Sequence, residues 1–550
     1  MRRVGAARWS SIRSGFARGL FIGALTFSFH AAAETAGGGA PPQAAAPASG
    51  PPTPAPEVVT RISERRLSVA DLPAPRRFVS RHETRIGGQR VSYTATAGET
   101  YITNLYGEPT ARFFSFAYVK EGGRDTARPV TFVFNGGPGS ASVWLHMGAL
   151  GPRRLVLDQE VNPRNVPPFG LQDNPHSPLD VTDLVFVDPV GTGYSQAVGN
   201  ARNADFFGVD EDLDSVARFI EAWLTENGRW NSPKYLVGES YGSARVAMLP
   251  RALMGGPFYS GVMRGITVDG IVLLGLALDL PRGTQAQAAA GAPDPRAGLT
   301  LPAMAATAYY YQRIDRGGRT LEQLHHEVTA FATRQYPQAL HRLASSQLPD
   351  TEKAQLAERL AGYTGIPAAT WLQNDLRLPT QQFLRSVIAD QGLEAGAYDS
   401  RYTLPLSPSH NDPVADDPAM GRYVPGFVAA FHDMIRSELR VTMPMPYNSI
   451  TWVGLNFNWN WTRTALPPNQ SPAADLAVAM RRNPDLRVLV ASGYYDMVTS
   501  AASAESQVRR AGLPPDRVTI RNYPSGHMLY LGDTAERFAD DIRALIAAGR

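Results

Sequence analysis

Apolar and polar residues alternate along the chain from Arg81 to Lys120. Gln89 to Ala95 and Glu99 to Asn104 read as strands on either side of a turn at Ala97-Gly98. Ala111 to Lys120 reads as the next strand, giving an antiparallel start to a sheet. The pattern then changes to short continuous apolar runs, Val130 to Phe134 and Leu184 to Val187, which predict strands buried on both faces. Phe206 to Leu224 has helical spacing, with Val209, Leu213, Val216, Phe219, Ile220 and Trp223 on one face. The run Lys234-Tyr235-Leu236-Val237 enters Gly238-Glu239-Ser240-Tyr241-Gly242, and a helical pattern from Ala244 to Leu253 leaves it. Ile266 to Leu274 is another buried strand. Strands alternating with helices predict an α/β fold with a mainly parallel central sheet.

Beyond this point the sheet signal lapses. Gly283 to Gly298 is loop-like, and Thr320 to Gln335, Asp350 to Ala361 and Thr380 to Gln391 read as helices with proline between them. Sheet signals return at Arg487 to Ser492 and Val518 to Tyr523, and an amphipathic helix, Thr534 to Ala547, closes the chain. The expected organisation is a sheet core over 59–282, a mostly helical cap inserted over 283–440, and completion of the core over 441–550.

The N-terminus reads differently. Arg2, Arg3, Arg8, Arg13 and Arg18 precede Gly19 to Phe29, an apolar core of eleven residues that is too short to span a bilayer, and Ala31-Ala32-Ala33 offers a small-residue cleavage site. Residues 1–33 are therefore expected to be a secretory signal peptide, with an uncleaved anchor as the alternative. The Ala, Pro and Gly of residues 34–58 predict a disordered linker. The expected compartment is periplasmic or extracellular, with no membrane association after cleavage. With 43% hydrophobic and 19% charged residues, the 550-residue chain has a globular composition and is long enough to bury a large core. A net charge of +3 gives no ground for a nucleic-acid partner. There is no cysteine, which excludes disulfides, a thiol nucleophile and thiolate metal sites.

Strand, Gly-x-Ser-x-Gly and helix together are the context of a nucleophile elbow, in which flanking glycines allow a turn that lifts the Ser240 hydroxyl off the sheet. Acyl transfer by a serine also needs a base, a carboxylate to orient it, and backbone N–H groups for the oxyanion. Of ten histidines, His527 lies directly after the last predicted strand, on a loop free to reach the elbow. Asp496 follows the strand before it and is the preferred orienting acid; Asp279, after the Ile266 to Leu274 strand, is the competitor. The chain order Ser240, Asp496, His527 is that of an α/β-hydrolase. The glycine cluster Asn135-Gly136-Gly137-Pro138-Gly139-Ser140 follows the Val130 to Phe134 strand, where this fold places one oxyanion N–H; the other belongs to Tyr241. No Gly-Lys-Ser/Thr follows the cluster, so it is not a phosphate-binding loop.

Taken with Gly151-Pro152, with Val187-Asp188-Pro189-Val190-Gly191-Thr192-Gly193-Tyr194-Ser195 and with Gly526-His527-Met528, these blocks resemble the serine carboxypeptidase family, in order and over nearly all of the mature chain. The resemblance implies an α/β-hydrolase core with a helical insertion, release of C-terminal residues from peptides, and no metal or other cofactor. It implies Ser240 as nucleophile, Asp496 and His527 as its partners, the N–H groups of Gly137 and Tyr241 as oxyanion hole, and Asn135 and Glu239 as ligands of the substrate's terminal carboxylate. A protonated Glu239 can donate to that carboxylate and repels it once ionised. One departure matters. The family's second glutamate aligns with Ala149, so the proton-sharing pair lacks a member; His146, one turn earlier, is the candidate substitute. Ser140 stands where the family usually has cysteine, and Ser492-Gly493-Tyr494-Tyr495-Asp496 replaces its usual acid motif.

The leading expectation is a serine-type carboxypeptidase acting on peptides. An esterase, acyltransferase or other peptidase on the same triad is the alternative that Ala149 raises, and an idle binding protein of this fold is the third reading. The aromatic run Trp452, Phe457, Trp459 and Trp461 has the two readings of pocket wall and core packing.

Overall fold

The computed structural model describes residues 67–122, 126–257, 259–280, 298–407, 412, 414–465, 467 and 470–549. The expected signal peptide, the linker and most of the Gly283 to Gly298 loop lie outside the described residues. Nine strands make the main path of one sheet: β1 (Arg77–Ile86), β2 (Gln89–Thr103), β3 (Pro109–Lys120), β4 (Val130–Phe134), β5 (Asp183–Asp188), β6 (Lys234–Glu239), β7 (Gly270–Leu274), β8 (Arg487–Gly493) and β9 (Val518–Tyr523). Their order is β1-β2-β3-β5-β4-β6-β7-β8-β9. The first three strands and the β3–β5 pair are antiparallel, and the rest of this path is parallel.

The parallel strands are continuous apolar runs because helices cover both faces. Phe132, Phe134, Leu236, Ile271 and Leu273 share one apolar cluster with α1 (Val209–Asn227) and α2 (Tyr241–Met254). The alternate residues Val133, Val237, Val272 and Leu274 point the other way, as the period of two requires. On α1 the expected face, Val209, Leu213, Val216, Phe219, Ile220 and Trp223, is buried throughout. This is the α/β-hydrolase core.

Two strand expectations are corrected. There is no turn at Ala97-Gly98, because β2 runs straight through it, Gly98 pairing with Arg77 on one side and Ser115 on the other. The glycine serves a close approach: a Cβ there would lie 2.9 Å from the Arg76 carbonyl oxygen. The chain turns instead at Gly87-Gly88, both at positive φ, which suits a tight hairpin. The strand expected from Ile266 begins only at Gly270. Ahead of it, the N–H groups of Gly265 and Ile266 donate to the Met254 and Leu253 carbonyls at the end of α2.

Between β7 and β8 lie α3 (Leu301–Tyr310), α4 (Leu321–Ala344), α5 (Asp350–Thr364), shorter helices at Ala368–Gln373 and Thr380–Ser386, a small two-stranded ribbon, and α6 (Pro418–Asp433). Thr320 caps α4 in a capping box with Gln323. The helix expected over Thr380 to Gln391 stops at Ser386 and resumes as a 3₁₀ turn at Ala389–Gln391. Leu301 to Ala395 has its own apolar centre around Leu324, Phe331 and Trp371. In contrast, α6 inserts Phe427 and Phe431 into the sheet's own core, Phe427 against Trp144. The chain ends with α7 (Pro472–Arg482), α8 (Ala501–Ala511) and α9 (Thr534–Ala548).

One buried ion pair ties the elbow helix to this frame. Arg245 on α2 donates from Nε to Asp212 Oδ2 on α1 at 2.7 Å and from Nη1 to the Asn135 carbonyl at 2.9 Å. Both charged side chains are almost completely buried. Asp212→Ala leaves the guanidinium without a counter-charge and is expected to cost about 3–5 kcal/mol of stability by urea denaturation; a loss below about 1 kcal/mol would contradict this role.

Candidate active site

Ser240 joins β6 to α2 in a single-residue reversal, with φ 58° and ψ −126°. A non-glycine residue holds such a conformation only where its surroundings impose it, at a cost of about 1–3 kcal/mol. Glycines make the room. A Cβ on Gly238 would run into the Gly242 carbonyl, and one on Gly136 would lie 2.6 Å from both the Glu239 carbonyl oxygen and the Tyr241 nitrogen. The loop after β4 therefore packs directly on the elbow. The Ser240 N–H donates to the Leu274 carbonyl at the end of β7, at 2.9 Å.

That packing places Gly137 next to the start of α2. The N–H of Tyr241 is the first of its helix and has no intrahelical acceptor. Neither it nor the Gly137 N–H donates to a turn or loop carbonyl among the described residues. Both expected oxyanion donors are thus unengaged where β4 and β6 end.

The loops after β8 and β9 bring the other two expected residues together. Asp496 Oδ2 accepts from His527 Nδ1 at 2.8 Å and from the Thr499 hydroxyl at 2.6 Å. Its Oδ1 accepts the N–H groups of Val498 and Thr499 at 2.8 and 2.9 Å. Burial pushes the Asp496 carboxyl up, but His527 and the Thr499 hydrogen bonds outweigh it, and the net shift is downward. Burial pulls His527 down, yet the Asp496 charge and hydrogen bond, then Glu239 and Asp417, carry it above 6.5. With Nδ1–H held by Asp496, Nε2 is the nitrogen left to accept a proton. The competing acid, Asp279, is ion-paired with Arg510. The His527 N–H donates to the Tyr398 carbonyl at 2.7 Å, so the stretch before α6 holds this loop.

Glu239 lies buried beside the serine. Its Oε2 accepts from Asn135 Nδ2 at 2.8 Å and from the Tyr530 hydroxyl at 2.9 Å. Burial dominates and raises its carboxyl to about 7, against the lowering effect of His527, Tyr530 and Asn135. Asn135, Gly137, Glu239, Ser240 and His527 all line one cleft. Its remaining wall is largely apolar, including Trp144, Tyr398, Tyr423, Trp452 and Met528. Among the described residues no cluster of histidine and carboxylate side chains is placed to hold a metal ion.

His146 does not stand in for the missing glutamate. It is fully buried, stacked on Phe186 with ring centroids 4.1 Å apart, and bonded through Nε2 to the Tyr118 hydroxyl. Burial drives its pKa down to about 3, so it packs as a neutral ring. Ala149 turns its carbonyl to Asn174. The aromatic run divides: Trp452 lines the cleft, Trp459 and Trp461 pack edge-on against the Tyr241 ring, and Phe457 is exposed. Two polar participants were not anticipated, Thr499 and Tyr530. The signal for Tyr530 was a lone hydroxyl in the apolar run Met528-Leu529-Tyr530-Leu531.

The arrangement suits acyl transfer: a strained serine, a buried carboxylate–imidazole pair and two unengaged N–H donors on one cleft. Residues 94–260 match the model of the serine carboxypeptidase family. "Serine carboxypeptidase-like 36" of Arabidopsis thaliana is 27% identical over 150 residues, which are 27% of this chain and 29% of that protein. The chain therefore spans less than a third of that relative's length. Solved structures with a similar course include a haloalkane dehalogenase loop variant from Bradyrhizobium elkanii, at 14% identity and a TM-score of 0.28, covering 86% of this chain and 99% of that one. An epoxide hydrolase mutant from Aspergillus niger follows at 12% identity and a TM-score of 0.33, covering 83% and 78%. The resemblance read from the sequence motifs thus has a family-model match behind it over residues 94–260.

The His527 environment gives a direct test. In Asp496→Asn the burial remains while the counter-charge goes, so the imidazole pKa, followed by NMR of the ring, is expected to fall from above 6.5 to below it. An unchanged value would show that Asp496 does not set the charge state of His527.

Proposed function

We propose that this chain, which carries the serine carboxypeptidase signature over residues 94–260, is a serine-type carboxypeptidase of the exported compartment that removes C-terminal residues from peptides. The observation that carries this reading is Glu239: a carboxyl beside the nucleophile, buried, lining the cleft, and pushed to about 7. Position and chemistry suit it to read a terminal carboxylate.

In this mechanism His527 Nε2 takes the Ser240 proton as Oγ attacks the scissile carbonyl. Asp496 holds the ring and stabilises the imidazolium. The N–H groups of Gly137 and Tyr241 receive the oxyanion. His527 then returns the proton to the leaving amine, the acyl group stays on Ser240 Oγ, and water activated by the same ring releases it. The apolar wall around Trp144, Tyr398, Tyr423 and Trp452 surrounds the substrate, while Glu239 donates to its carboxylate as long as it is protonated.

An ester- or amide-cleaving hydrolase with no demand for a free C-terminus is the second reading, and Ala149 favours it, because the expected second carboxyl is absent.

Two outcomes test the proposal. Ser240→Ala is expected to reduce peptide turnover by a factor on the order of 10⁴ or more; substantial residual hydrolysis would remove the serine from the mechanism. For substrates with a free C-terminus, kcat/KM is expected to fall as pH rises through about 7, the value at which Glu239 ionises. The matching esters and amides should lack that alkaline limb, and identical profiles for all three would favour the second reading.

A further inference from the structure

Both hydrogen bonds recorded to the Glu239 carboxyl go to the same oxygen. Asn135 Nδ2 and the Tyr530 hydroxyl converge on Oε2 at 2.8 and 2.9 Å, and no donor is recorded to Oε1 among the described residues. The Asn135 amide cannot turn to offer its oxygen instead, because Oδ1 already accepts the Leu145 N–H at 3.1 Å. Tyr530 is fully buried. Its ring lies against the backbone of Gly148, where a Cβ would sit 2.6 Å from Cε2. The phenol therefore approaches Glu239 past the turn that carries Ala149, the position at which the family resemblance leads one to expect a second carboxyl. Burial, with the Glu239 charge second, holds this phenol well above 10, so it remains a donor throughout the working range.

We propose that Tyr530 is a positioning residue for terminal-carboxylate recognition: with Asn135 it occupies Glu239 Oε2, confines the acidic proton to Oε1 on the cleft side, and replaces a proton-sharing carboxyl with a phenol. The inference rests on the carboxypeptidase reading above. A carboxylic acid carries its proton on one oxygen only. When the other oxygen accepts two hydrogen bonds, it acts as the carbonyl of the acid, and the O–H is presented by its partner. A substrate carboxylate in the cleft then accepts from Oε1. The device differs from a carboxyl pair in charge. A pair shares one proton and one negative charge, whereas here the supporting group is neutral and Glu239 alone titrates.

The sign of the pH effect follows. A donor to Oε2 bonds more strongly to the carboxylate than to the acid, so Tyr530 favours ionisation. Removing the hydroxyl makes Glu239 harder to ionise. The other titratable groups around it are His527, whose charge favours ionisation, Asp496, which opposes it, and the neutral phenol of Tyr423. All three are retained in Tyr530→Phe.

The test compares pH profiles of Tyr530→Phe and the wild type on a blocked dipeptide with a free C-terminus and on its C-terminal amide. Labelling of Ser240 by an organophosphate serves as the check that the elbow is assembled. The expected result is an alkaline limb moved upward by about half to one pH unit for the free acid only, read as a roughly 3- to 5-fold higher kcat/KM one unit above the wild-type midpoint. If the phenylalanine variant does not label, Gly148→Ala takes its place, since the added Cβ displaces the ring from Glu239 without removing it, and the same upward shift is expected. A limb that stays in place in the variant that labels, or one that moves equally for the amide, would overturn the role of Tyr530. Failure of the carboxypeptidase reading itself looks different: the wild type would then show no preference for the free acid and no alkaline limb to move.

Discussion

The site depends on one backbone constraint, the reversal of the chain at Ser240. With φ at 58°, the residue sits where a side chain is disfavoured, and the turn persists because its neighbours leave no alternative. Gly136, Gly238 and Gly242 pack so tightly around it that a single methyl group at any of them would meet backbone atoms. The same closeness sets the Gly137 loop beside the first turn of α2. The Ser240 hydroxyl and the Gly137 and Tyr241 N–H groups are therefore fixed by one packing arrangement, and the Asp212–Arg245 pair clamps it from behind by holding the Asn135 carbonyl.

Around that turn two carboxyls are given opposite tasks by their surroundings. Asp496 and Glu239 are both buried. Asp496 receives two backbone N–H groups, a hydroxyl and an imidazole, enough to keep it ionised. Glu239 receives two neutral donors on a single oxygen, and burial prevails. Asp496, held below the usual carboxylate range, bonds to the His527 ring, while Glu239 keeps its proton up to about neutral pH. Their assignments follow from hydrogen-bond count and charge, not from residue type. His527 senses both, and its own shift upward contains contributions from each.

Much of this was legible in the sequence. β4, β5 and β6 announce themselves because the middle of a strand buried on two faces is dominated by apolar residues. Ser240, Asp496 and His527 were singled out because each follows a strand end, and the structure pairs the last two. What stayed hidden turned on contacts distant in the chain. A glycine that admits a neighbouring carbonyl, as Gly98 does, reads the same as one that turns the chain. His146 lies one helical turn before Ala149 and was a reasonable substitute for the missing glutamate, but the site it occupies is an aromatic core. Tyr530 has its partner in Glu239, on a strand far earlier in the sequence, and nothing in an apolar run reveals that pairing.

The proposed activity combines a serine acyl-transfer site with a reader of the peptide's free end. It is tested most directly by the products released from one peptide of defined sequence, followed over time by mass spectrometry. The expected result is a ladder of species shortened one residue at a time from the C-terminus, and no such ladder from the same peptide with its C-terminus amidated. Internal fragments, or equal trimming of the amidated peptide, would contradict it.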